Sequence, residues 1–426
     1  MFKKLAEIWR IKELRKRIIF SLVLLGIFRL AAHIPLPAVN QENLRSFFEN
    51  NQIFGLLNMF SGSGMENMSI VLLGVGPYIT STIILQLLTM IIPKLQQMMK
   101  EEGEAGRKKF NQITRIVTIP LAALQGYTMI TLLSRQSPPI ITDLSVYNII
   151  LTIIIATAGT MFLMWIGELI TEKGIGNGVS LIIFAGIITN IPQAVQQAIV
   201  SYDPTQLFNY LVFAVIGVVV IAGVVIVTEG QRNIPVSYAK RIKGNRMYGG
   251  GSTHLPMRVN QGGVIPIIFA LSLMIFPGLI ANFLSNSDIT WLATSAKYIS
   301  DLFNNQVFYG VVYFILVIAF TYFYTAISFD PHSISDNLQK QGGFIPGIRP
   351  GQSTESYLKK TLNRVTLAGA IFLGMIAVMP FLVQGLTSVQ SMVIGGTGLL
   401  IVVSVVIETV KQVEAQMVMR DYESFY

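Results

Sequence analysis

Residues that usually carry chemistry are sparse in this 426-residue chain, and they are not gathered together. There is no cysteine, hence no disulfide, no thiolate nucleophile and no Cys-based metal site. The three histidines are dispersed: His33 lies near the end of an apolar segment, and His254 and His332 lie in polar connections. No HExxH pair, no Gly-rich loop ending in Lys-Ser or Lys-Thr and no GxSxG elbow occurs. No catalytic set, metal site or cofactor is therefore expected. Ion coupling would need ionisable groups deep inside apolar segments, because burying them is costly and implies use. Arg29 is the clear case, and it reads as structural, by snorkelling or by pairing with backbone carbonyls. Glu168, Glu229 and Glu408 fall at segment ends, within reach of water. What remains is uncharged. Thr80, Gln86, Gln125 and Ser272 sit on otherwise apolar segments. Alone, they read as interhelical hydrogen bonds worth about 0.6 kcal/mol each, with a polar seam between parting helices as the alternative.

The elements that would position these residues are membrane spans. The chain is 52% hydrophobic and only 12% charged, against about a quarter charged in soluble domains. The apolar runs predict ten spans, each near the roughly 20 residues a bilayer needs: Ile18–Leu36, Ser69–Ile92, Thr114–Leu133, Tyr147–Trp165, Gly178–Ala198, Leu207–Thr228, Val264–Phe283, Val307–Phe329, Thr361–Phe381 and Met392–Val410. Met1–Arg17, with seven Lys or Arg and two Glu, reads as a basic amphipathic surface helix, and the run after it as a retained first span. The stretch Phe54–Ile92 is unusual. Gly62, Ser63, Gly64, Glu66 and Asn67 make its first part a poor span, and Gly74, Gly76 and Pro77 interrupt its second. Irregular backbone at membrane depth is tolerated only under cover of protein or along a wet cavity. The expectation is a half-inserted segment followed by a cavity-lining helix; a surface loop and a Pro-kinked helix are the alternative.

Charge then sets orientation. The net charge is +9. With the N-terminus inside, every Lys and Arg except Arg29, Arg45, Arg135 and Lys297 falls on the cytoplasmic side, which predicts cytoplasmic N- and C-termini. Two cytoplasmic connections are long, 229–262 and 330–360. Gly and Pro residues in the second force turns that would project Arg349. Ten spans split into two halves, residues 1–200 and 201–426; five spans per half make the halves inverted.

Several stretches then carry a resemblance. NMFSGSGMENMSIVLLGVGPYITSTIILQLLT from Asn58, EEGEAGRKKFNQITR from Glu101, GTMFLMWIGELITEKGIGNGVSLIIFAGI from Gly159, EGQRNIPVSYAKRIKG from Glu229, STHLPMRVNQGGVIPIIFA from Ser252 and GGFIPGIRPGQSTESYL from Gly342 together resemble the SecY family over essentially the full chain.

The resemblance implies an all-α polytopic membrane protein, a clamshell of two inverted five-helix halves with an hourglass pore and a re-entrant plug. It implies a channel that passes unfolded preproteins across the bacterial cytoplasmic membrane and releases apolar segments into the bilayer. By motif, the pore ring is Val75, Ile79, Val179, Ile183, Ile268 and Ile401. The plug falls at about residues 56–68, with Phe60, Ser61, Gly62, Ser63, Gly64, Met65, Glu66, Asn67 and Met68 at its centre. Thr80, Gln86, Gln125 and Ser272 become the lateral gate, which raises the polar-seam reading above the simple bundle contact. Lys240, Arg241, Lys243, Arg246 and Arg349 become docking residues for the motor ATPase SecA and for ribosomal RNA. SecE and SecG are implied as companion subunits, and signal sequences, nascent chains and lipid as contacts. The competing reading is an inverted-repeat transporter of small solutes, which would need inward-facing charges at mid-membrane.

Overall fold

The computed structural model describes residues 9–36, 44, 64–65, 68–100, 102–134, 140–141, 145–200, 207–238, 241–243, 246–248, 251–284, 290–387 and 396–423. Each expected span overlaps a helix: α1 (Lys12–Ala31), α2 (Gly76–Leu88), α4 (Gly103–Ser134), α5 (Val146–Lys173), α6 (Gly178–Val200), α7 (Leu207–Glu229), α8 (Ile265–Leu284), α10 (Gln306–Ser328), α12 (Gln352–Thr387) and α13 (Gly396–Glu423), and the second, expected over Ser69–Ile92, is helical only from Gly76. Three more helices, α3 (Pro93–Lys100), α9 (Thr290–Asn304) and α11 (Pro331–Lys340), lie in the connections. Among the described residues, Gly103–Ser134, Val146–Lys173, Gln306–Lys340 and Gln352–Met379 are each long and apolar enough to cross a bilayer, and α2 with α3 forms a pair bent by 110°. Leu211, Val215, Val218 and Val219 stay exposed on α7, as on a helix solvated by lipid. The protein is a helical polytopic membrane protein.

The chain forms two compact units. Unit one comprises Met1–Asp203, Ser272–Asn305 and Gln390–Tyr426. In it α1 packs on α5 and α6, α2 on α4 and α5, and α6 on α13. Side-chain-free positions allow the closest approaches. A Cβ on Gly159 of α5 would strike the carbonyl oxygen of Ile70, and one on Gly178 at the head of α6 would strike that of Gly167. Arg29 falls in the last turn of α1, half-buried, where a cation complements the helix dipole. It is thus an end-of-helix residue, while His33 Nδ1–H donates to its carbonyl oxygen at 2.8 Å.

Unit two comprises Pro204–Leu271 and Gln306–Val389. There α10 and α7 pack on α12. The connections 229–262 and 330–360, expected as loops, build structure instead. Strand β1 (Gln231–Tyr238) pairs antiparallel with β4 (Ser252–Arg258), from Gln231 opposite Arg258 to Ser237 opposite Ser252. The other edge of β1 takes the short strand β5 (Gly343–Phe344) at Ser237 and Tyr238. Ile234, Val236, Met257, Phe329, Ile345, Leu358 and Leu362 form the core beneath this sheet. A separate ribbon pairs β2 (Arg241–Lys243) with β3 (Arg246–Tyr248).

Candidate functional site

The break in the second apolar stretch is a buried, non-helical passage. Gly64, Met65, Met68 and Ser69 are buried, as are residues 71–75. Its backbone groups find partners within protein. Leu36 N–H donates to the Met68 carbonyl at 2.7 Å, Ile70 N–H to Ile34 at 3.0 Å, Ser69 N–H to Gly64 at 2.8 Å and Gly74 N–H to Val71 at 2.8 Å. Pro35 and Ser69 form a bridge, and Met68 and Gly74 adopt positive φ, +40° and +58°. Met65, Met68 and Leu72 share an apolar core with Leu36, Leu44, Met129, Ile130, Leu133, Ile140 and Ile141. Such a passage satisfies the condition on irregular backbone at membrane depth. Of the expected plug, Gly64, Met65 and Met68 belong to it; Phe60, Ser61, Gly62, Ser63, Glu66 and Asn67 lie outside the described residues.

The passage feeds directly into α2. Pro77 sits in the first turn, where its missing N–H costs nothing, so it starts the helix and does not kink one. Val75 is the N-cap residue, fully buried, and Ile79 lies one turn further on the same face at 6% exposure. The Thr80 hydroxyl donates to the Gly76 carbonyl within its own helix, at 3.0 Å. Ser81, which the sequence did not single out, instead makes the interhelical bond: its hydroxyl donates to the Thr114 carbonyl of α4 at 2.9 Å. Gln86 Oε1 is buried, with no protein hydrogen-bond donor. Gln125 on α4 and Ser272 on α8 are half-buried.

At the head of α6 the GIGNG turn is held by side chains from three helices. Ile175 N–H donates to Ser21 Oγ of α1 at 3.1 Å, Gly176 N–H to Gln412 Oε1 of α13 at 2.9 Å, and Gly178 N–H to Thr171 Oγ1 of α5 at 2.9 Å. Asn177 Oδ1 accepts from Ser180 N–H at 3.2 Å, capping α6. The first N–H groups of a helix have no intrahelical acceptor, so these side chains fix where α6 begins. They thereby fix Val179, which is half-buried against Gly167 of α5, and Ile183, which is fully buried. Ile401 is buried on α13, the helix that packs on α6. Ile268 is buried on α8 within unit two. Ser21 lies within the first expected span and Thr171 and Gln412 lie beyond the expected ends of theirs, so nothing in their spacing links the three before folding brings them together. Arg115 and Glu168 did carry a signal, being opposite charges near the ends of adjacent spans. They form a two-pronged ion pair, Nε to Oε1 at 2.8 Å and the second guanidinium nitrogen to Oε2 at 2.8 Å.

In unit two, Arg349 is exposed on a tightly built loop. The Thr354 hydroxyl donates to the Arg349 carbonyl at 2.9 Å, and the Ser335 hydroxyl to that of Gly351 at 2.8 Å. Gly347 and Gly351 flank Arg349 at φ +84° and +93°, which only glycine adopts readily. On the β2–β3 ribbon Lys243 pairs with Arg246, and Arg241 with Tyr248, so the register assigns positions 241, 243 and 246 to one face. Lys240 lies outside the described residues.

The chain matches the SecY family model over residues 69–410. Among curated proteins, it is 42% identical to the protein translocase subunit SecY of Streptomyces galbus, covering 100% of both chains. It is 44% identical to that of Mycobacterium bovis, covering 98% of both. It is 41% identical to that of Thermotoga maritima, covering 100% of this chain and 98% of that one. Among solved structures, a protein conducting channel superposes with a TM-score of 0.67 at 20% identity, covering 94% of this chain and 92% of that one. The Sec61 channel of a canine ribosome–channel complex superposes at 0.64 and 19% identity, with the same coverage. At this identity the superpositions speak to the fold, and the full-length sequence matches speak to descent: the chain belongs to the SecY family.

Proposed function

We propose that this chain is the channel subunit of a bacterial protein translocase, passing unfolded preproteins through the membrane and releasing apolar segments sideways into lipid. The observation that carries the reading is the largely buried passage at residues 64–65 and 68–75, with backbone hydrogen bonds made within protein, which delivers two aliphatic side chains, Val75 and Ile79, onto one face of a helix head. Relatives of the same length are protein translocase subunits. We assign the collar to Val75, Ile79, Val179, Ile183 and Ile401 of unit one, and carry Ile268 as its sixth member on the family motif alone. Aliphatic side chains can yield around varied polypeptides, yet leave no ligand for an ion that has lost its water. Residues 60–68 are the plug, and Thr80, Gln86, Gln125 and Ser272 the lateral gate. The halves 1–200 and 201–426 are inverted counterparts.

The chain performs no catalysis in this reading, so a motor or the ion gradient supplies the work. The basic positions 241, 243 and 246 on one face of the ribbon suit an RNA phosphate surface or an acidic motor face, and Lys240 is assigned to the same docking role on the family motif alone. Arg349 serves SecA-driven transport. SecE and SecG complete the complex. The distribution of Lys and Arg supports an orientation with both termini cytoplasmic, and the bacterial SecY relatives support placement in a bacterial cytoplasmic membrane. The test is reconstitution with SecE and SecG in vesicles. A secretory precursor should enter the lumen when SecA and ATP are added, and the complex should hydrolyse no ATP without SecA. Uptake of a small solute with no precursor transport would favour the transporter reading instead.

A further inference from the structure

Helix α9 (Thr290–Asn304) was not expected, and the channel reading makes no use of it. Its residues sort into three stripes. Ala296 and Ser300 are buried at 4% and 9% exposure, so this face is packed on protein. At 100° per residue, Trp291, Tyr298 and Leu302 fall on the opposite side, and Trp291 and Tyr298 are 68% and 67% exposed. Thr294, Lys297 and Asp301 form an exposed polar flank beside this stripe. The chain itself says where the helix lies. A single residue, Asn305, separates α9 from α10, whose exposed stripe of Val307, Val311 and Ile315 begins at once. That stripe has the i, i+4, i+8 spacing of a lipid-facing helix surface. The last turn of α9 is therefore tethered at the border of the bilayer.

We propose that α9 is an in-plane interfacial helix, its Trp291–Tyr298–Leu302 stripe seated at the boundary between lipid headgroups and acyl chains. Trp and Tyr favour that depth because each couples an apolar ring to a hydrogen-bonding tip, and the charged flank of α9 stays in the headgroup layer. The bilayer thus holds the connection between α8 and α10 from the lipid side, while Ala296 and Ser300 hold it from the protein side. This rests on the membrane reading of the spans and goes beyond the channel assignment.

The chain has three tryptophans, so replacing Trp9 and Trp165 by Phe leaves Trp291 as the sole reporter. The full chain is reconstituted into phosphatidylcholine–phosphatidylglycerol vesicles whose acyl chains are brominated near either the glycerol end or the methyl end. Trp291 emission should be strongly quenched by the shallow bromines, weakly by the deep ones, and little by aqueous iodide. Quenching by iodide alone would place the stripe in water, and quenching by neither would place it against protein; either overturns the proposal. Keeping only Trp165, on the span α5, provides the control: bromine quenching there with none at Trp291 defeats this inference while leaving the spans intact. Because the natural chain has no cysteine, spin labels on Tyr298→Cys and Lys297→Cys read the same question with all tryptophans present. The label at 298 should be the more accessible to oxygen and the one at 297 the more accessible to a nickel chelate; equal or reversed accessibility contradicts the proposal.

Discussion

The passage at residues 64–65 and 68–75 and the Arg349 loop are both irregular backbone, but they are built to opposite ends. In the passage, backbone groups bond among themselves and to residues 34 and 36, and the side chains disappear into an apolar core. Nothing in it presents a charge outward among the described residues. In the loop, hydroxyls of Ser335 and Thr354 tie down the backbone so that one guanidinium can project into water. Apolar contacts are non-directional and can re-form around many shapes. A pinned Arg offers fixed donors that match one partner geometry. In the proposed function, the difference separates what yields to any cargo from what recognises one partner.

That comparison can be broken at either end. The largest effect should come from removing collar bulk: Ile79→Gly with Ile183→Gly should raise the ion leak of reconstituted channels about tenfold or more, since a widened, wet constriction no longer excludes ions. Planar-bilayer conductance measures this, and a tight double mutant would break the collar assignment. Next, Gly178→Ala drives a Cβ into the Gly167 carbonyl, and strain on that scale should cost about 3 kcal/mol or more, seen as lost thermal stability in detergent. At the other end, Arg349→Lys keeps the charge but loses the fork, and should slow SecA-driven transport by about tenfold with no change in leak. The smallest effect should follow Thr354→Val, which removes a hydrogen bond worth about 1 kcal/mol beneath Arg349. Transport should fall a few-fold there, again without leak. A leak from either loop variant would erase the distinction between the regions.

Much of unit one was legible because membranes make sequence simple. Its apolar runs each overlap a helix, and Gly74, Gly76 and Pro77 mark the break. Even there Pro77 looks in sequence like an interruption of a span, whereas it begins a helix; the turns before it carry no period that sequence can register. Unit two was less legible. Strand β1 contains Pro235 and only weak alternation, and its pairing with β5 joins Ser237 to Phe344, a contact that nothing local announces. Helix α11 did announce itself, with Asp330 accepting from the His332 N–H at 3.1 Å as N-cap and Pro331 in the first turn, and could have been found. Helix α9 could also have been found: its apolar residues fall on one side of a helical wheel, opposite Thr294, Lys297 and Asp301, in a stretch too short and too polar to register as a span. The hydroxyls that fix GIGNG come from positions 21, 171 and 412, and only folding brings them together.

The central claim is that cargo passes the aliphatic collar and not the lipid-exposed helix faces. A photoreactive residue placed singly at Ile79, Ile183, Val218 or Ile226, with a precursor stalled in mid-transport, addresses it most directly. Precursor adducts are expected at Ile79 and Ile183 and none at Val218 or Ile226, which are exposed on α7. Adducts at Val218 and Ile226, with none at Ile79 or Ile183, would contradict it.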